Sequence, residues 1–168
     1  MLKKMMNCMA LTMAFLVASI THAQTLDTAY AAKVAAILEE KDSHAYLSNP
    51  PHIFNVLRNI DGKSVTEEWI YYKQNDFQTI LIISHTDVTE FREQYYLLNH
   101  ALIHGTESEN DGSSVDFDVR AGRFINLNDM LSHRYEGYDG QAEKEIMARY
   151  KKRMKQLQQL LKQQKRQK

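Results

Sequence analysis

The stretch Tyr71–His104 reads YYKQNDFQTILIISHTDVTEFREQYYLLNHALIH, and its reading decides the fold. It holds two Tyr-Tyr pairs, each followed by Asn and then by an apolar run that ends in His. The pairs begin at Tyr71 and Tyr95, and two Val-Thr-Glu triplets begin at Val65 and Val88, so the spacings are 24 and 23 residues. Each copy reads as a strand, a polar turn containing Asn, and a return strand. Asn tolerates the positive φ that tight hairpin turns demand, which gives its recurrence a physical cause. A fainter third copy, VDFDVRAGRFINLND followed by MLSHRYE, sets Phe124-Ile125 in the place of Tyr-Tyr and Asn128-Asp129 in the place of Asn99-His100.

Alternation supports strands. Trp69 and Tyr71 share one face of their strand, and Phe91, Tyr95 and Leu97 share one face of theirs. The run from Thr79 to Ile83 is apolar on both sides, as a central strand would be. Upstream, HIFNVLRNI (52–60) is ambiguous in pattern, since Pro50-Pro51 could equally begin a short helix, but the hairpin signal Asp61-Gly62 reads it as a strand that turns into a second strand over about 65–73. Connections this short pair sequential strands, so the sum is a meander of about six to eight antiparallel strands. These hairpins are loosely similar to MORN-type repeats over at most residues 65–136. The glycines that mark those repeats are missing, and the likeness implies hairpin architecture with no functional residue.

Two helices flank the meander. Residues 26–47 carry Tyr30, Val34, Ile37 and Leu38 at helical spacing, and Asn49-Pro50-Pro51 stops them. Residues 141–165 repeat Ile146, Met147, Tyr150, Met154, Leu157, Leu160 and Leu161 on one side. Tyr150, Met154, Leu157 and Leu161 form a short heptad seam. Gln163–Lys168 lacks an apolar face and is expected to fray. The expected fold class is α+β: an N-terminal helix, a single antiparallel β-meander built from hairpin repeats, and a long basic C-terminal helix.

The first residues, MLKKMMNCMALTMAFLVASITHAQ, have the layout of a secretory signal peptide: Lys3 and Lys4, an apolar run, then small residues before Gln24. The apolar run is shorter than the ~20 residues of a spanning helix. Residues 1–23 are therefore expected to be removed between Ala23 and Gln24, leaving a periplasmic or secreted bacterial protein. Cys8, the only cysteine, lies inside that segment, so the mature chain would have no disulfide, thiolate metal site or cysteine nucleophile.

Charge is segregated although the whole chain is neutral. Residues 141–168 hold ten Lys or Arg against two Glu, and residues 24–140 hold nine against nineteen acids. An acidic domain (24–140) thus carries a basic amphipathic helix (141–168). The basic helix can fold back on its own acidic body or meet an anionic partner. Without interleaved aromatic residues beyond Tyr150, nucleic acid is disfavoured.

Candidates for chemistry are few. His85, His104 and His133 each end a return strand in the repeat alignment. Alternate strands lie roughly 9.6 Å apart at ~4.8 Å per strand, so three such His cannot share one metal. Carboxylates at Glu67-Glu68, Glu90, Glu93, Glu107, Glu109, Asp111, Asp116 and Asp118 could supply a glycosidase pair. No Gly-x-Ser-x-Gly and no Gly-rich phosphate loop occurs. No catalytic residue, metal or cofactor is assigned.

The first reading is an exported envelope protein, non-enzymatic, that binds a protein partner or its own copy through the sheet or the C-terminal helix. Inhibitor or immunity proteins are special cases of that class. Trp69, Tyr71 and Tyr95 are its candidate sheet-face contacts. The alternative is a binder of a membrane surface or lipopolysaccharide through Lys151, Lys152, Arg153, Lys155 and Lys162. A carboxylate- or His-dependent hydrolase is the second alternative.

Overall fold

A computed structural model describes residues 28–41, 50–60, 62–130 and 140–166. The expected signal peptide, residues 26–27 and 42–47 of the expected first helix, and His133 lie outside them. The chain divides into two units, Met1–Glu40 and Lys41–Lys168. In the first, helix α1 (28–41) turns Tyr30, Val34, Ile37 and Leu38 to its less exposed side, as their spacing requires.

The second unit is a seven-stranded antiparallel meander with strands in chain order, followed by a helix. The strands are β1 (His52–Ile60), β2 (Lys63–Gln74), β3 (Phe77–His85), β4 (Glu90–Leu98), β5 (Ala101–Glu109), β6 (Ser114–Arg120) and β7 (Arg123–Met130). Helix α2 runs from Gln141 to Arg166. The α+β expectation is therefore met, and the ambiguous run 52–60 is a strand.

Turn chemistry sets the register. Asn75 (φ 52°) turns β2 into β3, and Asn99-His100 (φ 51° and 65°) turns β4 into β5. Two successive positive φ values make the hairpin geometry whose twist matches that of the strands. The third copy departs from the expected alignment. Its turn is Ala121-Gly122 (φ 52° and 78°), and Phe124 and Asn128 both lie beyond it, in β7. Gly122 supplies the left-handed backbone there, so Asn is not needed. His104 also differs from expectation, standing within β5 rather than at its end, while His85 does end β3. Helix α2 continues through Arg166, past Gln163 where fraying was expected.

One face of the sheet is covered by α2. Trp69, Tyr71, Ile80, Ile82, Tyr95, Leu97, Val115 and Phe117 from the strands form one buried cluster with Ile146 and Leu157 of the helix. Met147, Tyr150, Met154, Leu160 and Leu161 pack around it. The sheet's apolar face needs such a cover, and the i, i+3, i+4 stripe of α2 provides it.

Candidate binding surfaces

The layer between α2 and the sheet contains an ionic cluster among the apolar side chains. Glu67 on β2, Glu93 on β4 and Glu107 on β5 are each 0–1 % exposed. They share a row because strand side chains alternate, and the register sets Glu93 opposite Glu107. Two arginines one helical turn apart descend on them. Arg149 donates from Nε and Nη2 to the two Glu107 oxygens at 3.0 Å each. Arg153 donates from Nη1 to Glu67 Oε1 at 2.8 Å and from Nε to Glu93 Oε2 at 2.8 Å, and its Nη2 also bonds Glu93 Oε2. Arg58 on β1 completes the set by donating to Glu67 Oε2 at 2.6 Å.

An aromatic group two residues along the strand supports each of two carboxylates. Trp69 Nε1 donates to Glu67 Oε2 at 3.0 Å, and Tyr95 Oη donates to Glu93 Oε1 at 2.8 Å. The same Glu-x-aromatic triplet thus recurs on β2 and β4. Burial alone would raise the Glu67 pKa, but hydrogen bonds from Arg58, Arg153 and Trp69, with the Arg153 charge, outweigh it and hold the carboxyl below its ordinary range. Burial also pushes the Tyr95 hydroxyl up, and the Glu93 and Glu107 charges push it further. Tyr95 therefore stays a protonated donor.

This cluster relocates several candidate residues. Trp69 and Tyr95 are fully buried under α2 and Tyr71 is 7 % exposed, so all three build the core. Arg153 points inward to Glu67 and Glu93, whereas Lys151, Lys152, Lys155 and Lys162 are exposed on the opposite side of α2. Glu67, Glu93 and Glu107, considered for acid–base chemistry, are the seat of the helix. A signal for this was present in the sequence: Arg149 and Arg153 fall within the apolar arc of the helix, and the lysines fall opposite it.

On the face away from α2, His104 Nδ1 and Asp118 Oδ1 share a 2.9 Å hydrogen bond, and the Tyr96 ring packs on His104 at 5.6 Å. Phe77 in turn packs on Tyr96. Among the described residues no three His, Cys, Asp or Glu converge on a common metal position. Among them, too, no helix is long and apolar enough to cross a membrane.

Among the described residues, two surfaces remain open to a partner. The first is the edge of β1, which pairs only with β2 among the described residues. Ile53 is 53 % and Leu57 75 % exposed on it. They alternate with Phe54 and Val56, which pack into the core, so they project from the face away from α2. The second is the lysine face of α2. An open cavity of about 400 Å³ lies where the two approach, lined by His52, Tyr71, Lys73, Leu161, Gln164 and Lys165. His52 Nδ1 lies 2.7 Å from Gln164 Oε1, which fixes the C-terminal end of α2 beside the start of β1.

Searches against protein families, characterised proteins and solved structures find no significant match to this chain.

Proposed function

We propose that this is an exported, non-enzymatic binding protein that takes an extended segment of a protein partner onto the open edge of β1. The observation that carries this reading is how little, among the described residues, protects that edge. Folded proteins blunt edge strands with charges, prolines, bulges or short length. Strand β1 is nine residues long, contains no proline, and pairs in unbroken register from His52↔Tyr71 to Ile60↔Lys63. Its one formal charge, Arg58, is spent on Glu67. The opposite edge differs, because the β6–β7 ladder shifts register between Asp118 and Val119.

Recognition by strand addition takes affinity from main-chain hydrogen bonds and specificity from alternate side chains. Ile53 and Leu57 would meet apolar residues on one face of the added strand. Lys165 and Arg166, at the end of α2 beside β1, would meet acidic residues on the other. The partner segment is thus an extended one that alternates apolar and acidic residues. The apolar leader with Lys3 and Lys4 supports export, and the mass of the protein recovered from the host's periplasm or medium tests it: a chain beginning at Gln24 is expected.

Selection from a random peptide display library tests the binding mode. Peptides of alternating apolar and acidic residues are expected, and the pair Ile53→Lys and Leu57→Lys should abolish their binding. Selected peptides that are basic or patternless, or that bind the double variant equally, would sink the reading.

A further inference from the structure

We propose that the lysine face of α2, together with the cavity at its C-terminal end, docks the protein on an anionic lipid surface. The proposal shares Lys165 and Arg166 with the β1 reading but rests on the row Lys144, Lys151, Lys155 and Lys162, which that reading does not use.

Lys144, Lys151, Lys155, Lys162 and Arg166 are all exposed. At 3.6 residues per turn their spacings of 7, 4, 7 and 4 hold them within an arc of roughly 60°, and at 1.5 Å per residue they span about 33 Å. Lys152 and Lys165 flank that arc and are also exposed. None of the five makes an ion pair among the described residues. The two helix acids, Glu143 and Glu145, are confined to the first turns. Neighbouring charges on the ridge lie about 8 Å apart on average, close to the Debye length at physiological salt, so their fields overlap.

The shape of the ridge selects the partner. Its charges form one linear row along a single helix. Tyr150, the only aromatic residue of α2, faces inward onto Tyr95 at 5.3 Å, so no ring is offered for stacking on bases. A planar anionic surface meets a straight ridge along its whole length. Beside the C-terminal end of the ridge lies the cavity of about 400 Å³, whose lining includes Lys73, Lys165, Tyr71 and Leu161. Two lysines in a lining that also holds Tyr71 and Leu161 suit the phosphate of a lipid headgroup.

Vesicle sedimentation with the full chain tests this. The protein should bind phosphatidylcholine vesicles containing phosphatidylglycerol, ignore pure phosphatidylcholine, and release as salt rises. Each ridge lysine near an anionic membrane contributes about fivefold to partitioning. Replacing Lys151, Lys155 and Lys162 together by Gln, a residue that keeps helix propensity, should lower partitioning on the order of 100-fold with the melting temperature unchanged. Lys73→Gln should leave phosphatidylglycerol binding intact and remove a preference for phosphatidic acid, whose phosphate is terminal. No binding to phosphatidylglycerol vesicles, binding that ignores the triple change or salt, or no loss of headgroup preference in Lys73→Gln would overturn the proposal. Equal or tighter binding to duplex DNA or soluble polyphosphate would overturn it in favour of a polymer.

Discussion

Arg153 on α2 bonds Glu93 on β4 through Nε and Nη2 across 60 residues of sequence, with the carboxylate fully buried. The same guanidinium reaches Glu67 on β2, so one side chain ties the helix to two strands. Removing one partner of a buried pair leaves charge uncompensated and costs about 3–5 kcal/mol. Arg153→Met should cost that much in urea unfolding. Arg153→Lys should recover little, because a point charge cannot reproduce the planar fork. A loss below about 1 kcal/mol in Arg153→Met would show that the cluster does not hold the helix.

Acid should loosen the same layer. The folded Glu67 carboxyl titrates below its ordinary value of 4.5, since Arg58, Arg153 and Trp69 favour its charged form against burial. Its contribution is therefore complete above the unfolded value and is lost as pH falls through the lower, folded one. Unfolding free energy should be level near neutrality and fall in acid, and Glu67→Gln should flatten part of that slope. A protein that gains stability on acidification, or a variant with the same slope as its parent, contradicts this.

Gly105 on β5 is fixed by a neighbour rather than by its backbone. A Cβ there would lie 2.3 Å from Phe117 Cζ and 2.6 Å from Cε2, because the ring lies across the glycine. Gly105→Ala should cost about 1–3 kcal/mol through overpacking. Phe117→Leu in the same chain should relieve part of that cost, so a double-mutant cycle must show coupling. Strictly additive effects would mean that the ring is not the obstacle.

Deleting residues 141–168 would uncover Trp69 and Tyr95 and strand three buried glutamates without Arg149 and Arg153. The truncated chain should lose its cooperative melting transition. Trp69 is the only tryptophan and is fully buried, so its emission should shift to the red. An unchanged melting curve would refute α2 as the cover of the sheet.

Much of the architecture was legible because turn chemistry and alternation act locally. Asn75 and Asn99 marked two hairpins, and Asp61-Gly62 resolved a run whose pattern alone was ambiguous. The third hairpin was misaligned because Ala121-Gly122 solves the same backbone problem with a different residue. The candidate surface was harder to read. Trp69, Tyr71 and Tyr95 read as sheet-face contacts in sequence, but which sheet face is covered depends on long-range packing. Charge alone groups Arg153 with the lysines, whereas its angular position on α2 sets it with Ile146, Tyr150 and Leu157. The buried glutamates also ran against expectation, since carboxylates are rarely buried unless paired and their partners on α2 lie 40 to 90 residues away.

Helix α2 closes one sheet face through its arginines, and the proposed function leaves β1 as the edge for recognition. Hydrogen–deuterium exchange on the full chain, with and without a peptide selected from the display library, tests this most directly. Added protection should appear in the amides of His52–Ile60, with those of β7 and α2 unchanged. Protection confined to α2 or β7, with β1 exchanging as in the free protein, would contradict it.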